Sequence, residues 1–256
     1  MDSPSLTTPA LRLSGLSKRF GQTPAVEDLH LDVPRGSFYG FVGPNGAGKT
    51  TTLSMATGLL RPDAGIAEVV GIDVWARPSE AKRSMGVLAD GVLLFNKLTG
   101  AQLVTYAGLL RGMDRETVQE RTTDLLRVLG LEEAAGKLVQ DYSAGMTKKI
   151  ALASAMVHAP ELLVLDEPFE AVDPVSARTI RGLLESYVAS GGTVILSSHV
   201  MDLVQRMCSH VGIISEGRLL ASGTLQQVQG DVDLETRFVE LVGLEGGDQE
   251  LSWLRL

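Results

Sequence analysis

The sequence predicts an α/β protein with a mostly parallel sheet, an antiparallel β region near the N-terminus and a helical insertion. Three observations support this fold. Short apolar runs at 162–165 and 193–196 suit strands buried on both faces of a parallel sheet, and a helix-like segment separates them. A glycine-rich turn joins a strand to a helix near residue 48. From about residue 90 to residue 159, the apolar spacing is mainly helical.

The elements follow in chain order. Short apolar runs separated by turn-forming residues predict strands over 11–16, 26–33 and 37–42. A helix over 48–60 follows the glycine-rich turn, and the spacing of Leu103, Ala107 and Leu110 predicts helix within 99–131. The last elements are a helix over 174–188 and an amphipathic helix over 234–241. We expect one main domain over 1–230, with the insertion at about 90–159, and a short helix and polar tail over 231–256.

Composition excludes several classes of protein. The chain has 256 residues, of which 44% are hydrophobic and 21% charged, as in ordinary globular proteins. The net charge of −8 disfavours nucleic-acid binding. The single cysteine, Cys208, cannot form an internal disulfide, which favours a reducing compartment. Neither a targeting signal nor a transmembrane segment is expected, and no zinc site is suggested by the positions of His30, His158 and His210.

The strongest motif is a phosphate-binding loop between a predicted strand and a predicted helix. Glycines let backbone N–H groups approach phosphates closely, and the helix N-terminus adds partial positive charge. Lys49 would contact the β- and γ-phosphates, and Thr50 would bind Mg²⁺ through its hydroxyl. The sequence therefore predicts a P-loop NTPase core that binds ATP and Mg²⁺. The residues assigned to nucleotide binding are Gly43, Pro44, Asn45, Gly46, Ala47, Gly48, Lys49, Thr50 and Thr51.

Two acids follow the apolar run at 162–165. Taken alone, such a run is as typical of an ordinary strand that ends in solvated carboxylates as of a catalytic site. Beside a P-loop the functional interpretation is favoured, since ligands of α/β sheets bind at the carboxyl ends of strands. Asp166 would hold Mg²⁺, and Glu167 would polarise the attacking water.

A third motif lies between the first two. Ser143, Ala144, Gly145 and Met146 precede a long apolar helix. By sequence physics alone, Ser143 is best explained as a helix N-cap, although a helix start with Ser and Gly could also bind an anion.

The order of these motifs, over about 11–228, resembles the ATP-binding subunit of ATP-binding-cassette (ABC) transporters. In that family two cassettes pair head to tail, and the signature of one closes over the γ-phosphate bound by the other. The resemblance implies that residues 143–146 form this signature and that Asp173 contacts the opposite cassette. It implies that Phe20 stacks on adenine and that His199 contacts the γ-phosphate.

The sequence departs from the family pattern at two places. Asp90 stands where the family usually has Gln, in a loop that joins the metal site to the insertion. Its carboxylate could bind Mg²⁺, repel the triphosphate, or be a solvated loop acid without either role. In the signature, Ala144 replaces a Gly and Met146 replaces the Gln. If the replaced Gly had a positive φ, Ala144 would be strained there.

The resemblance implies a cassette ATPase that acts as a homodimer or heterodimer and powers a separate transmembrane permease. It implies a peripheral location on the cytoplasmic face of the membrane. The signature, and the segment 98–100 that follows Asp90, favour export-type systems. Two alternatives remain: a non-transport cassette ATPase acting on ribosomes or DNA, and a weakly hydrolysing member of an asymmetric pair.

Overall fold

A computed structural model describes residues 8–91 and 93–243. The expected polar tail lies outside the described residues. Helices and strands alternate along most of the chain. The strands are β1 (Leu11–Phe20), β2 (Thr23–Val33), β3 (Phe38–Val42), β4 (Ala64–Val69), β5 (Ile72–Asp73), β6 (Met85–Leu88), β7 (Leu162–Leu165), β8 (Thr193–Ser198), β9 (His210–Ser215) and β10 (Arg218–Thr224). The α-helices are α1 (Lys49–Ala56), α2 (Pro78–Ser84), α3 (Gly100–Leu110), α4 (Arg115–Val128), α5 (Ala144–Met156), α6 (Pro174–Ala189), α7 (Met201–Met207), α8 (Leu225–Gln229) and α9 (Leu234–Val242).

Two sheets form the framework. The first has the order β2-β1-β4-β5 and is antiparallel throughout. The second has the order β10-β9-β3-β8-β7-β6 and is parallel except for the β9–β10 pair. β3, β7 and β8 consist of buried residues, as expected for parallel strands covered on both faces. The predicted fold class, including the N-terminal antiparallel region and the helical insertion, is confirmed.

The register of the parallel sheet brings the carboxyl ends of four strands to the same level. Val42 pairs with Ser198, and Leu165 pairs with both Leu196 and Leu88. The carboxyl ends of β3, β8, β7 and β6 therefore meet at one edge of the sheet. The segments that carry the predicted site residues leave the sheet from this edge.

Several predicted boundaries were wrong. The first strand was predicted to end at residue 16 but continues to Phe20, because pairing irregularities between Leu13 and Lys18 break the alternation, with Gly15 in a left-handed conformation. The helix predicted over 48–60 is α1 and ends at Ala56, two residues before Gly58, whose φ of +76° cannot continue a helix. The helical pattern over 99–131 divides into α3 and α4 at Gly112.

The helical insertion has its own packing and its own caps. α3 starts with a reciprocal capping box between Thr99 and Gln102, and Asp114 caps α4. α3, α4 and α5 enclose a cluster of buried aliphatic residues, including Val104, Val118 and Ile150. None of the helices in 8–91 and 93–243 is long and apolar enough to cross a membrane.

A partly buried polar contact joins the insertion to the parallel sheet. At the end of α3, the Arg111 guanidinium donates to the Met85 carbonyl oxygen, 3.2 Å away. His158, just after α5, places Nε2 3.0 Å from the same oxygen and 3.2 Å from Nη1 of Arg111. Burial, together with the Arg111 charge, lowers the pKa of His158 to about 4. This ring is therefore neutral in the folded protein at pH values where a free histidine is charged.

Because the His158 ring is neutral in the folded protein, we expect the protein to become less stable in acid. Between about pH 6.5 and pH 4 the unfolded chain binds a proton at His158 and the folded chain does not, so the free energy of unfolding falls as the pH falls. We expect this ring to contribute about 1–2 kcal/mol of the loss, after allowance for solvent screening. Urea unfolding at about pH 7 and pH 4.5 should show a smaller loss for His158→Gln than for the parent. His30→Gln, at an exposed site, is the control; equal losses in all three proteins would contradict the prediction.

Candidate active site

A cleft of about 370 Å³ lies at the carboxyl edge of the parallel sheet. Most of the predicted site residues meet there. The phosphate-binding loop forms one wall, and residues from the loops after β6, β7 and β8 form the other. The lining residues are Ala25, residues 45–51, Asp90, Glu167, Glu170 and His199.

The phosphate-binding loop has the conformation that its glycines predict. Gly46 and Gly48 have φ values of +79° and +104°, which favour glycine. A Cβ on Gly48 would lie 2.5 Å from the Ala25 carbonyl oxygen, so this position also needs glycine for close packing. Within the described residues, the backbone N–H groups of Gly46, Gly48, Lys49 and Thr50 have no hydrogen-bond acceptor. Free N–H groups at a helix N-terminus form a cradle that fits phosphate oxygens.

Lys49 places a buried cation beside this cradle. Its side chain is 8% exposed, and Nζ donates to the carbonyl oxygens of Gly43 at 2.7 Å and Pro44 at 3.2 Å. Nζ also lies 3.9 Å from Oε1 of Glu167. Burial lowers the pKa of Lys49, while the charges of Glu167 and Asp166 oppose that shift. A polyanion bound in the cradle would favour the charged form of this lysine.

Ser197 links the two acids that follow β7. The hydroxyl of this buried β8 residue donates to Oδ1 of Asp166 at 2.5 Å and accepts the backbone N–H of Glu167 at 2.8 Å. Asp166 is itself buried, so its carboxylate is oriented inward and held by Ser197. One hydroxyl thereby fixes both acids relative to β8.

Glu167 points toward the cleft and contacts His199. Its φ is +43°, a left-handed conformation that turns the chain sharply after β7. The side chain is 15% exposed, and Oε1 lies 3.1 Å from Nδ1 of His199. A carboxylate beside an imidazole at the mouth of a phosphate cradle can accept a proton from a water molecule.

Asp90 lies at the same cleft with a cation beside it. Its side chain is half exposed, and Oδ1 lies 3.9 Å from Nζ of Lys148 on α5. In the residues that the structure covers, no three His, Cys, Asp or Glu side chains form a complete metal site. The Thr50 hydroxyl and the Asp166 carboxylate are oxygen groups of the kind that suits Mg²⁺, which is usually held by one or two carboxylates together with substrate phosphates. Thr50 lines the cleft, whereas the buried Asp166 is not among the lining residues.

The predicted signature does not line this cleft. Ser143 is the N-cap of α5 and accepts the N–H of Met146, as sequence physics alone favoured. Ala144 is the first residue of α5 and has no positive φ, so the strain considered for it does not occur. Gly145 packs closely on the start of α6, because a Cβ there would lie 2.7 Å from Oδ2 of Asp173 and that side chain would have to shift.

Two other predicted contacts also lie elsewhere. Asp173 is the N-cap of α6, where Oδ1 accepts the N–H groups of Val175 and Ser176. Phe20 ends β1 in the hairpin to β2, is 54% exposed and does not line the cleft of the single chain.

Sequence reasoning missed four residues of this region. Ala25 and Glu170 line the cleft, and Ser197 and Lys148 bind the backbone or side chains of its acids. Ser197 is a polar residue in a buried strand, two positions before His199, and this pattern could have indicated its role. No local signal indicated Lys148, whose contacts are distant in sequence.

The chain is similar in sequence and in fold to known proteins. A family model described as ABC transporter matches residues 26–170. The chain is 36% identical to the daunorubicin/doxorubicin resistance ATP-binding protein DrrA of Streptomyces peucetius, over 88% of this chain and 68% of that protein. It is 35% identical to the Nod factor export ATP-binding protein I of Ralstonia nicotianae, over 85% of this chain and 68% of that protein. A solved structure described as the ATP binding subunit of an ABC transporter has a TM-score of 0.85 at 27% identity, covering 91% of this chain and 99% of that one.

The cradle predicts that ATP affinity depends on Lys49. Lys49→Ala removes the buried cation beside the free N–H groups, and the loss of one charge-assisted hydrogen bond corresponds to about a 10- to 150-fold weaker Kd. Calorimetric titration with ATP measures the change directly. Lys137→Ala, at an exposed lysine of the insertion, should bind as the parent does. Unchanged affinity in Lys49→Ala would mean that the nucleotide binds elsewhere.

Proposed function

The chain belongs to the ABC transporter family as an ATP-binding and ATP-hydrolysing subunit, and we propose that it drives a separate permease in the direction of export. The observation that carries the proposal is the meeting of Lys49, Glu167 and His199 in one cleft behind a phosphate cradle. This arrangement can bind a triphosphate, polarise a water molecule and stabilise the charge that develops on the transferred group.

The direction of transport is supported by the relatives. One is described as a resistance protein and another as an export protein, and each aligns with more than four fifths of this chain. A permease in another chain is supported by the solved structure, which is described as an ATP binding subunit. Through this permease the protein would be peripheral to the membrane, on its cytoplasmic face.

The placement of the signature supports action as a dimer. Ser143 and Ala144 are exposed at the N-terminus of α5, and neither lines the cleft of its own chain. We propose that residues 143–146 bind the triphosphate held by a second cassette, with Asp173 alongside. The second cassette is either another copy of this chain or a related chain. The exposed Phe20 ring would stack on adenine at the edge of the same interface.

The polar residues predicted from the motifs have proposed roles in hydrolysis. Mg²⁺ would neutralise phosphate charge, and the Thr50 hydroxyl and the Asp166 carboxylate would hold it, with Asp90 as a further ligand. Ser197 keeps Asp166 in one orientation. Glu167 accepts a proton from the attacking water, and His199 orients Glu167 and contacts the γ-phosphate.

Glu167→Gln should bind ATP but hydrolyse it slowly. The amide keeps the shape of the side chain and cannot act as a base, so the rate should fall about 10²–10⁴-fold. Phosphate release measures the rate, and light scattering measures the mass of the ATP-bound protein, which should become that of a dimer. Glu170→Gln, at the exposed rim of the cleft, tests whether any nearby acid has this effect. Hydrolysis at the parent rate in Glu167→Gln would contradict the role of Glu167 as the base. A variant that hydrolyses ATP slowly but stays monomeric with ATP would contradict the proposed dimer.

Asp90→Asn tests whether this acid helps to hold the metal. A carboxylate is a better ligand for a hard cation than an amide, so the Mg²⁺ concentration for half-maximal ATPase activity should rise. If Asp90 instead repels the triphosphate, the same variant should bind ATP more tightly, because unit charges about 4 Å apart interact by roughly 4 kcal/mol at an effective dielectric of about 20. Asp124→Asn, on α4, is the control. Unchanged Mg²⁺ dependence and ATP affinity would exclude both roles.

A further inference from the structure

Lys148 contacts the backbone of the proposed catalytic acid from a separate element of the fold. We propose that Lys148 is a positioning residue that holds Glu167 in its reactive orientation and ties it to helix α5. The inference rests on the proposed role of Glu167 as the group that polarises water. Neither the sequence motifs nor the family resemblance assigned Lys148 a role.

The contacts of Lys148 converge on the loop after β7. Nζ donates to the Glu167 carbonyl oxygen at 3.0 Å and lies 3.9 Å from Oδ1 of Asp90. The side chain is only 20% exposed, so its cation is withdrawn from most of the solvent and directed to these two oxygen atoms. A charged donor forms a stronger hydrogen bond than a neutral one.

The Glu167 backbone needs such support. Its φ of +43° is disfavoured for a residue with a Cβ, and conformations of this kind persist where the surroundings hold them. On one side, the N–H donates to the Ser197 hydroxyl. On the other side, the carbonyl oxygen accepts the N–H of Glu170 at 3.2 Å within the turn and the Lys148 ammonium across the fold. Ser197 on β8 therefore holds the backbone N–H of Glu167, and Lys148 on α5 holds its carbonyl oxygen.

The geometry gives α5 two functions. The helix begins at Ala144, within the segment 143–146 that is proposed to bind the nucleotide of the second cassette. Through Lys148, near its second turn, it contacts the Glu167 backbone. A displacement of α5 relative to β7 would therefore change the support of Glu167 within the same chain. Asp90, in the loop that leads from β6 to the insertion, would reach the same lysine.

The test compares Lys148→Met, which removes the donor, with Lys148→Arg, which keeps the charge and the donor. At saturating ATP and Mg²⁺, we expect Lys148→Met to lower kcat about 10-fold, while KM for ATP changes less than about twofold. Lys148→Arg should restore kcat to within about threefold of the parent. Lys137→Met, at an exposed lysine of the insertion, is the matched control and should have the parent rate. If Lys148→Met does not fold, Lys148→Gln replaces it and should show the same pattern.

A second arm separates positioning from a general structural effect. If Lys148 acts through Glu167, adding Lys148→Met to Glu167→Gln should lower the residual rate less than about twofold, because the group being positioned is already absent. A full 10-fold further loss would overturn the inference, and so would a parent kcat in Lys148→Met. The arms also distinguish the two proposals. A parent rate in Glu167→Gln would overturn the role of Glu167 itself, whereas a slow Glu167→Gln with a fully active Lys148→Met would overturn only the role of Lys148.

Discussion

The parallel backbone pairing of β3, β8 and β7 is the constraint on which the site depends. These strands are buried, and their register sets Val42 beside Ser198 and Leu165 beside Leu196. The phosphate-binding loop, the acid pair and His199 each begin within one or two residues of these strand ends. A shift of one residue in this pairing would move each side chain to the opposite face of the sheet and so into the other core layer, where the neighbouring side chains are different, so side-chain packing specifies the register. The same hydrophobic burial that stabilises the sheet therefore sets the distances in the cleft.

The turn after β7 shows how this framework gives neighbouring acids different environments. Asp166 continues the inward direction of the strand and becomes buried against Ser197. Glu167 has a left-handed backbone and is directed into the cleft toward His199. An inward carboxylate held by a hydroxyl suits a fixed metal ligand, and a carboxylate at a cleft suits proton transfer with water. The left-handed backbone at Glu167 thus places two adjacent carboxylates in different environments, one buried and one at the cleft.

The sequence predicted the parts of this arrangement that local patterns specify. The strand at 162–165 was predicted with its observed bounds because four apolar residues lie between polar or turn-forming neighbours. The segment from β4 to β6 was missed, since β4 has three exposed residues and α2 is short and charged. Most of the cleft-lining residues were predicted from motifs. The contact between Lys148 and Glu167 could not be predicted, because it joins residues 19 positions apart through the packing of α5 on the sheet.

The altered signature is explained by the same packing. Ala144 occupies a helical position where a methyl group is accommodated, whereas a Cβ on Gly145 would displace the side chains of Asp173 and Ser176. The substitution therefore falls at a position that does not require glycine, and the glycine that remains is at the more closely packed of the two positions. Because Gly145 contacts the N-cap of α6, the start of α5 and the Asp173 loop are packed as one unit. Both segments were assigned to the surface that faces a second cassette, and their mutual packing means that they would meet it together.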